Sequence, residues 1–361
     1  MKKILTVVGA RPQFVKAAAL SPSLATRAAE VAEVLVHTGQ HFDDSMSDIF
    51  FREMRIPAPA YNLAIGGGTH GENTGRMIEA IEKVLLTERP DMVVVYGDTD
   101  STLAAAVATS KLGILLAHVE AGLRSHRRAM PEEINRVVTD HVADVLYTPS
   151  AASNENLRRE GIPADRIVEA GDVMFDVVKR FAALAAQRSP ILAQLGVTPG
   201  IFHLLTLHRK ENTDDKAVLQ RILAGLAKSP MPIIFPMHPR TKKMLEAFGL
   251  ELPTSVRPIE PLGYLDTLRL ISTASLVITD SGGVQKEAYF VGQPCVTLRD
   301  ETEWTELVDT GANVLAGSNS ALIAELLGSD PWHPRVTGLY GDGRAADAIA
   351  TDLLARVANA A

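Results

Sequence analysis

Cysteine is almost absent from this chain of 361 residues, in which Cys295 is the single example. One thiol excludes an internal disulfide and a cysteine metal cluster, and it favours a protein of the reducing cytoplasm. Its setting in VGQPCVTL indicates a small buried residue. Long apolar runs are also missing, since none approaches the ~18 residues that a membrane-spanning helix needs. We therefore predict a cytoplasmic protein with no disulfide framework and no membrane partner.

An excess of positive charge is lacking too. The formal net charge is −7, which gives no general attraction to nucleic acid. The turn after the first apolar run reads GARPQFVK and lacks the glycine fingerprint of dinucleotide sites, so a nicotinamide or flavin dehydrogenase is disfavoured. His41, Asp43 and Asp44 share a polar segment, but their spacing is not typical of metal ligands. We predict no metal and no cofactor.

The chain instead alternates apolar strands with helical patterns along its length. Such alternation predicts an α/β fold with two doubly wound, Rossmann-like domains facing each other across a cleft. The length fits about two domains of ~150 residues each, and the Pro- and Gly-containing segment 189–200 marks a hinge region. We predict an N-terminal domain over 1–180, a C-terminal domain over 181–345, and a last helix over 346–361 that packs back on the first domain.

The apolar run ASLVI at 274–278, followed by the motif TDSGGVQKEA, predicts a strand, a tight turn and a helix. Gly282 and Gly283 let backbone N–H groups approach a bound group at the positive end of the helix dipole, with Asp280 or Ser281 as the cap. Such a turn suits a phosphate. Glu287 lies one helical turn further on, where its carboxylate suits sugar hydroxyls. Together these residues indicate a nucleotide site, although two glycines after a strand also occur where they merely permit a turn.

Acidic side chains follow several strands of the first domain. Asp98 comes after MVVVY, Glu120 comes after ILLAHV, and Glu132 and Arg136 lie in the first turns of a helix that Pro131 begins. An acid in a first turn also satisfies the helix dipole, which is the alternative account of Glu132. Three carboxylates at one edge of a sheet raise one another's pKa and make proton donors available near neutrality. The pattern predicts proton transfer.

Positive groups gather at the same strand ends. Arg11 and Lys16 follow the first strand, while His208 and His238 each follow a strand of the second domain. Arg11 and Lys16 are also explained as ordinary surface charges. A nucleoside diphosphate bound by the second domain, with its sugar presented to the acids of the first, fits these parts. Proton transfer at the sugar would then accompany departure of a diphosphate stabilised by the positive groups.

The motifs resemble those of the non-hydrolysing UDP-N-acetylglucosamine 2-epimerases, which have the glycosyltransferase-B fold. The resemblance runs nearly end to end, through GARPQFVK, TGQH, YGDTDSTLAA, HVEAGLRS, PEEINR, LHRKEN, TDSGGVQKEA, RDETEW and YGDG. It implies elimination of UDP from the anomeric carbon with loss of the C2 proton, giving a 2-acetamidoglucal. UDP then adds back and the proton returns on the other face, without a cofactor.

The resemblance also divides the candidate residues between roles. Proton transfer at C2 and stabilisation of the oxocarbenium-like state fall to Asp98, Glu120 and Glu132, and His208 faces the diphosphate leaving group. Contacts with the UDP-sugar fall to Arg11, Lys16, Arg136, His238, Ser281, Gly282, Gly283 and Glu287. The resemblance also implies that the protein is a homodimer. It further implies that its product supplies an acetamido sugar for surface polysaccharide.

Three departures from the family pattern bear on substrate and regulation. Thr69 and His70 stand where many members carry an Arg-Gln pair that holds an activating substrate molecule, and Trp304 replaces a frequent arginine. The short basic loop SHRRAM resembles the branch that includes epimerases of UDP-2,3-diacetamido-2,3-dideoxy-glucuronate. Arg127 or Arg128 would pair with a uronate carboxylate there, or would form a solvated basic loop. The alternative substrate is therefore that uronate.

Two other functions remain open from the sequence. A glycosyltransferase of the same fold would transfer the sugar to an acceptor, but clustered acids favour reversible proton transfer. A catalytically silent UDP-sugar sensor would close on its ligand and signal to a partner, and intact acids disfavour it. Acceptor-independent isomerisation separates the first from an epimerase, and deuterium incorporation at C2 separates the second.

Overall fold

The computed structural model describes residues 1–40, 57–334 and 338–359. The polar residues His41, Asp43 and Asp44 lie outside the described residues, as does the side chain of Arg11. The chain forms two compact units. Unit 1 comprises Met1–Val177 and Gly338–Ala361, and unit 2 comprises Val178–Thr337.

In the described residues of unit 1, seven strands form one sheet in which every pair of neighbouring strands is parallel. The strands are β1 (Lys2–Val8), β2 (Val31–His37), β3 (Tyr61–Asn62), β4 (Met92–Tyr96), β5 (Leu115–Val119), β6 (Val145–Thr148) and β7 (Ile167–Glu169). Their order across the sheet is β3-β2-β1-β4-β5-β6-β7.

The part of unit 2 that the structure describes, residues 178–334, repeats this plan with six parallel strands. They are β8 (His203–Thr206), β9 (Ile233–Pro236), β10 (Val256–Ile259), β11 (Leu276–Thr279), β12 (Cys295–Thr297) and β13 (Asn313–Leu315). Their order is β10-β9-β8-β11-β12-β13. The predicted α/β class with two doubly wound parallel sheets is thus confirmed.

Helices connect the strands of both sheets. In chain order the described α-helices are α1 (Arg11–Ala25), α2 (His70–Glu88), α3 (Asp100–Lys111), α4 (Pro131–Val142), α5 (Ala151–Arg159), α6 (Val173–Arg188), α7 (Ile191–Leu195), α8 (Lys210–Thr213), α9 (Lys216–Leu226), α10 (Pro239–Phe248), α11 (Tyr264–Thr273), α12 (Gly282–Phe290), α13 (Thr305–Asp309), α14 (Ser320–Gly328) and α15 (Ala345–Asn359). Of the helices just named, none is long and apolar enough to cross a membrane.

Both sheets have apolar strands because each is covered on two faces. In β8, the consecutive residues Leu204 and Leu205 belong to different core clusters, one with Ile234 and Val277 and the other with Ile278. Alternating side chains of a strand point to opposite faces, so a sheet buried on both sides needs continuous apolar runs. These runs are what made the strands recognisable in the sequence.

The strand order reverses at the same place in each sheet. The chain builds outward from β1 to β3 and then returns to place β4 on the other side of β1, and β8 and β11 repeat this arrangement in unit 2. Ligands of open α/β sheets bind at the carboxyl ends of strands beside such a reversal. The turns after β1, β4, β8 and β11 are therefore the positions to examine.

One local prediction was wrong. The glycine-rich sequence GGGTHGENTG at 66–75 predicts a flexible, polar loop before the helix RMIEAIEKVLL, yet α2 begins within this segment at His70. The hydroxyl of Thr69 accepts a hydrogen bond from the Glu72 backbone N–H, and the Glu72 carboxylate accepts one from the Thr69 N–H at 2.9 Å. This reciprocal capping box satisfies two N–H groups at the helix start and outweighs the low helix propensity of glycine.

The last helix, α15, belongs to unit 1. Its Asp347 accepts a hydrogen bond from Ser23 of α1 at 2.7 Å, and its Asp352 accepts one from Tyr147 of β6 at 2.7 Å. Asp176 caps its first turn by accepting hydrogen bonds from two backbone N–H groups, those of residues 345 and 346. Unit 1 also includes residues 338–345, which the sequence-based division places in the second domain.

Candidate active site

The turn after β1 is held in register with the end of β4 by one amide side chain. The Gln13 oxygen accepts hydrogen bonds from the backbone N–H groups of Gly9 at 2.8 Å and Ala10 at 3.0 Å. Its nitrogen donates to the Tyr96 carbonyl at 3.1 Å and to the Thr102 hydroxyl at 2.9 Å. Gln13 is buried, so it fixes the two turns where the strand order of the unit 1 sheet reverses. No sequence pattern singled it out, because its partners on either side of the turn after β4, Tyr96 and Thr102, lie 83 and 89 residues away.

Lys16 and Glu120 form a buried ion pair beside these turns. The Lys16 Nζ and Glu120 Oε2 atoms are 2.6 Å apart, and their side chains are 9% and 8% exposed. Glu120 has a φ of +70°, a left-handed backbone conformation that costs free energy for any residue other than glycine. A Cβ atom at Gly97 would lie 3.1 Å from the Glu120 carboxylate and 3.3 Å from the Lys16 ammonium. Glycine at 97 therefore leaves room for the pair.

Asp98 forms the second ion pair of unit 1. Its carboxylate accepts a hydrogen bond from Arg136 of α4, whose other terminal nitrogen lies 3.2 Å from the Glu133 carboxylate. The Asn135 side chain donates to the Asp98 carbonyl at 2.9 Å. The Asp98 side chain is 29% exposed whereas that of Arg136 is 8% exposed, so the carboxylate is accessible while its partner is buried.

Glu132 and Glu133 occupy adjacent positions of α4 but differ in environment. Glu132 is exposed, whereas Glu133 is buried. The Glu133 carboxylate accepts hydrogen bonds from the Ser125 N–H at 2.9 Å, the Ser125 hydroxyl at 3.0 Å and the His126 N–H at 3.0 Å. Burial alone would raise the pKa of Glu133, but these bonds and the contact with Arg136 hold it below its usual value. Glu133 therefore anchors the loop before α4.

These contacts modify the electrostatic prediction. The sequence suggests carboxylates crowded against one another, but Asp98 faces Arg136 and Glu120 faces Lys16. Each cation comes from a helix remote in sequence from its partner strand, which is why sequence spacing could not show the pairing. The pairs hold each carboxylate in one orientation, as proton transfer requires.

In unit 2, the helix start at the switch point is open. Ser281 occupies the N-cap position of α12 with extended backbone, and its side chain makes no capping hydrogen bond. A Cβ at Gly282 would lie 2.6 Å from the Glu303 carboxylate, so a side chain has no room there. At Gly283 the nearest atom within 4 Å of such a Cβ is the Ser281 hydroxyl, at 3.9 Å. The arrangement leaves the helix N-terminus available to an anion.

Of the two predicted caps, Ser281 occupies the N-cap position without a capping hydrogen bond from its side chain, and Asp280 binds the turn after β8 instead. One oxygen of its fully buried carboxylate accepts hydrogen bonds from the His208 N–H at 2.9 Å and the Arg209 N–H at 2.8 Å. The other lies 3.2 Å from the His208 Nδ1. Burial would raise the pKa of Asp280, but the bonds and charge of His208 and the backbone N–H groups lower it. Asp280 thus orients the His208 ring, whose side chain is 40% exposed.

His238 lies beside His208 at the end of the next strand. The two ring centroids are 5.6 Å apart. His238 is the N-cap of α10, and its Nδ1 accepts a hydrogen bond from the Arg240 N–H at 3.1 Å. Burial and the charge of His208 both lower the pKa of His238. Because Nδ1 accepts a bond, the ring is neutral and carries its proton on Nε2, where it can donate to a ligand.

Two residues of α12, Lys286 and Glu287, are also relevant to the site, and Lys286 contacts Trp304, which replaces an arginine frequent in the family. Glu287 lies one turn beyond Gly283 and is 7% exposed. Trp304 is buried, and the Lys286 ammonium lies 3.9 Å from the centroid of its ring, a cation–π contact. The position of Trp304 therefore contributes an aromatic face in place of the positive charge frequent in the family.

The predicted site residues thus fall into two groups by unit. Those of unit 1 lie on α1, at the turns after β4 and β5 and in the first turns of α4, and they are Arg11, Lys16, Asp98, Glu120, Glu132 and Arg136. Those of unit 2 lie at the turns after β8, β9 and β11 and on α12, and they are His208, His238, Ser281, Gly282, Gly283 and Glu287. Within the part of the chain that the structure describes, no group of three or more His, Cys, Asp or Glu side chains is arranged to hold a metal ion.

Comparison with known proteins gives one consistent family. A family model described as UDP-N-acetylglucosamine 2-epimerase matches residues 24–354. A UDP-2,3-diacetamido-2,3-dideoxy-D-glucuronate 2-epimerase from Pseudomonas aeruginosa is 49% identical over 355 residues, covering 96% of this chain and 98% of the relative. A UDP-N-acetylglucosamine 2-epimerase from Methanocaldococcus jannaschii is 46% identical over 330 residues, covering 88% of this chain and 89% of the relative.

Solved structures agree with the sequence relatives. The Methanocaldococcus jannaschii UDP-GlcNAc 2-epimerase in complex with UDP-GlcNAc and UDP matches 97% of this chain and 99% of its own, with a TM-score of 0.86 and 42% identity. The UDP-GlcNAc 2-epimerase from Neisseria meningitidis bound to UDP-GlcNAc matches 98% of this chain and 100% of its own, with a TM-score of 0.85 and 30% identity. The similarity therefore extends over both units.

Proposed function

Because this chain belongs to the UDP-N-acetylglucosamine 2-epimerase family, we propose that it inverts C2 of a UDP-2-acetamido sugar, converting UDP-GlcNAc into UDP-ManNAc. The observation that carries the proposal is the pair of oriented carboxylates, Asp98 and Glu120, at the ends of neighbouring strands. Each is held by a buried cation, Arg136 or Lys16. This arrangement suits two proton transfers at one carbon better than transfer to an external acceptor.

The proposed reaction has two balanced halves. In the first, a carboxylate takes the C2 proton while the C1–O bond breaks, so the C2–H electrons form the C1–C2 double bond and UDP leaves with the electrons of the C1–O bond. In the second, the diphosphate oxygen adds back to C1 and C2 receives a proton on the opposite face. Proton transfer on two faces needs two acids or bases, which we assign to Asp98 and Glu120, with the exposed Glu132 as the third candidate.

We assign the diphosphate to unit 2. The uncapped start of α12 at Ser281, Gly282 and Gly283 offers backbone N–H groups to phosphate oxygens. The His208 ring, oriented by Asp280, and the Nε2 proton of His238 add donors that stabilise the leaving diphosphate. Glu287 is assigned to the ribose hydroxyls. Lys16, Arg136 and Arg11 complete the predicted contacts with the UDP-sugar.

Proton NMR in deuterated water tests the function directly. With UDP-GlcNAc alone, we expect the manno product with deuterium at C2, because the abstracted proton exchanges with solvent before it returns. Product without any added activator would also show that the chain does not depend on allosteric activation. If neither UDP-GlcNAc nor UDP-2,3-diacetamido-2,3-dideoxy-glucuronate gave product or C2 exchange, the result would contradict the proposal and favour a transferase or a sensor.

A second candidate substrate is UDP-2,3-diacetamido-2,3-dideoxy-glucuronate, favoured by the Pseudomonas aeruginosa relative and by the loop before α4. The loop residues 126–128 are exposed, and Glu133 anchors the loop through Ser125 and His126. Arg127 and Arg128 therefore project from a fixed base. A guanidinium binds a carboxylate in a bidentate manner, which a uronate offers and N-acetylglucosamine does not.

The paired substitution Arg127→Ala with Arg128→Ala separates the two substrates. If the enzyme acts on the uronate, we expect kcat/KM for the uronate to fall about 30-fold or more, as loss of a charge-assisted bidentate contact predicts. Turnover of UDP-GlcNAc should stay within about threefold, because that sugar has no carboxylate to lose a contact. Steady-state rates with both substrates provide the measurement.

The chain offers a matched control for this test. Arg158 and Arg159 on α5 are also adjacent and exposed, so replacing both with alanine removes the same charge at another site. An equal loss of uronate turnover in this control would attribute the effect to overall charge. Unchanged uronate turnover in the Arg127 and Arg128 variant would show that these arginines do not bind the uronate carboxylate.

Two remaining predictions concern the protein as a whole. We infer that it acts as a homodimer in the cytoplasm, where UDP-sugars are available to it. Light scattering after gel filtration measures the first expectation, and fractionation of cells that produce the protein measures the second.

A further inference from the structure

A buried cluster beneath the two carboxylate-bearing turns has no part in the roles assigned above. His118 lies in β5, two residues before Glu120, and its ring is fully buried. Its Nε2 lies 2.7 Å from the Gly97 carbonyl oxygen, and its Nδ1 lies 2.7 Å from an oxygen of Asp140 on α4. One ring therefore links the turn after β4 to the helix that carries Arg136.

Asp140 extends the link to the second turn. Its other oxygen accepts hydrogen bonds from the Gly122 N–H at 3.1 Å and from Arg124 at 2.7 Å. Arg124 in turn pairs with Glu160 at 2.7 Å through both oxygens of that carboxylate. The backbone before Asp98 and the backbone just after Glu120 are thus tied to one buried carboxylate through His118 and the Gly122 N–H.

The hydrogen-bonding partners determine the protonation of the ring. A backbone carbonyl can only accept, so Nε2 carries a proton. Asp140 already accepts from the Gly122 N–H and from the Arg124 guanidinium, which keeps it ionised, so Nδ1 also donates. His118 is then an imidazolium that, with Arg124, balances the charges of Asp140 and Glu160. Burial would raise the pKa of Asp140, but the charges and bonds of His118 and Arg124 lower it.

We propose that His118, protonated on both ring nitrogens, is a positioning residue for the epimerisation. It fixes the turns of Asp98 and Glu120 relative to each other. The inference rests on the proposed function, in which Asp98 and Glu120 both act on C2 of the same sugar. A shift of the Gly97 backbone would reach the site because Gly97 is close to both members of the ion pair. A Cβ atom built on Gly97 would lie only 3.1 Å from the Glu120 carboxylate and 3.3 Å from the Lys16 ammonium. A displaced Gly97 carbonyl would move both the Asp98 backbone and the neighbours of Glu120.

Two amide substitutions divide the ring's hydrogen bonds. In His118→Asn the amide nitrogen stands near the position of Nδ1, which keeps a donor toward Asp140 and loses the bond to Gly97. In His118→Gln it stands near Nε2, which keeps the bond to Gly97. We expect kcat of the Asn variant to fall about 100-fold with KM changed less than about threefold, since a misplacement near 1 Å has this effect on rate. The Gln variant should retain more than about a tenth of the parental kcat.

A merely structural role would lower the stability of both variants without separating kcat from KM. Parental kcat in the Asn variant, or equal loss of kcat in both variants, would overturn the inference. A parent enzyme that epimerises neither UDP-sugar would instead refute the proposed function, so the two failures are distinguishable.

Nitrogen-15 NMR of the native enzyme labelled at histidine keeps the test independent of variant folding. Among the ten histidines we expect a ring whose two N–H protons both exchange slowly with solvent, because His118 is fully buried and both of its nitrogens face acceptors. The absence of any such ring from the native enzyme would overturn the inference even if neither variant folds.

Discussion

Replacing Asp98 by asparagine or Glu120 by glutamine should lower kcat about 1,000-fold while UDP binds within about threefold of normal. An amide has the shape of the carboxylate but cannot take up the C2 proton. The diphosphate is assigned to unit 2, whose residues are unchanged, so UDP affinity should persist. Steady-state kinetics and calorimetric titration with UDP measure the two quantities.

The same variants reveal which acid serves which face of C2. A variant that lacks the acid of the product face should still exchange the C2 proton of the starting sugar with deuterated water while forming no epimer. The other variant should show neither exchange nor epimer from that sugar. Glu79→Gln is the matched control, because Glu79 is an exposed carboxylate on α2 paired with Lys83. A variant of Asp98 or Glu120 with near-normal turnover would remove that acid from the mechanism.

Substituting Gly9 by alanine should destabilise unit 1 by about 3 kcal/mol, as overpacking and the loss of buried hydroxyl hydrogen bonds predict. The added Cβ would overlap the side-chain oxygens of Thr38 and Ser101. Both are fully buried and 2.8 Å apart in a hydrogen bond, and the Ser101 hydroxyl also donates to Gln40 at 2.6 Å. Neither can rotate away without losing a partner. Urea unfolding monitored by circular dichroism measures the change.

The control for Gly9 is another glycine in the same unit. Gly75 is exposed within α2, and a Cβ there would meet no atom of the described residues within 4 Å. Gly75→Ala should therefore raise the free energy of unfolding by about 0.5–1 kcal/mol, the ordinary gain for alanine in a helix. Equal effects of the two substitutions would show that close packing at Gly9 does not limit stability.

The sequence was sufficient for the architecture because parallel sheets buried on both faces require continuous apolar runs. MVVVY and ASLVI predicted β4 and β11, and Pro131 correctly marked the first turn of α4. The start of α2 was missed although its signal was present. The spacing from Thr69 to Glu72 is that of a capping box, but the surrounding glycines obscured it.

Side-chain partners were less accessible from the sequence. Asp280 follows a strand just as a helix cap would, yet it binds His208, which lies 72 residues earlier. Glu133 differs from Glu132 only by one helical position, and the sequence could not indicate which of them faces Ser125. Such pairings depend on which strand ends the fold brings together, and local patterns carry no information about it.

The discontinuity of unit 1 has a consequence for how the chain folds during synthesis. Asp347 and Asp352 of α15 bind Ser23 and Tyr147, so the first unit includes residues made after all of unit 2. On the ribosome, unit 2 has its whole sequence available first, although its residues follow most of unit 1. Part of the surface of the N-terminal sheet therefore stays uncovered until α15 has left the ribosome. Chaperone binding to nascent chains should therefore concentrate on unit 1 and end only when synthesis passes the last helix.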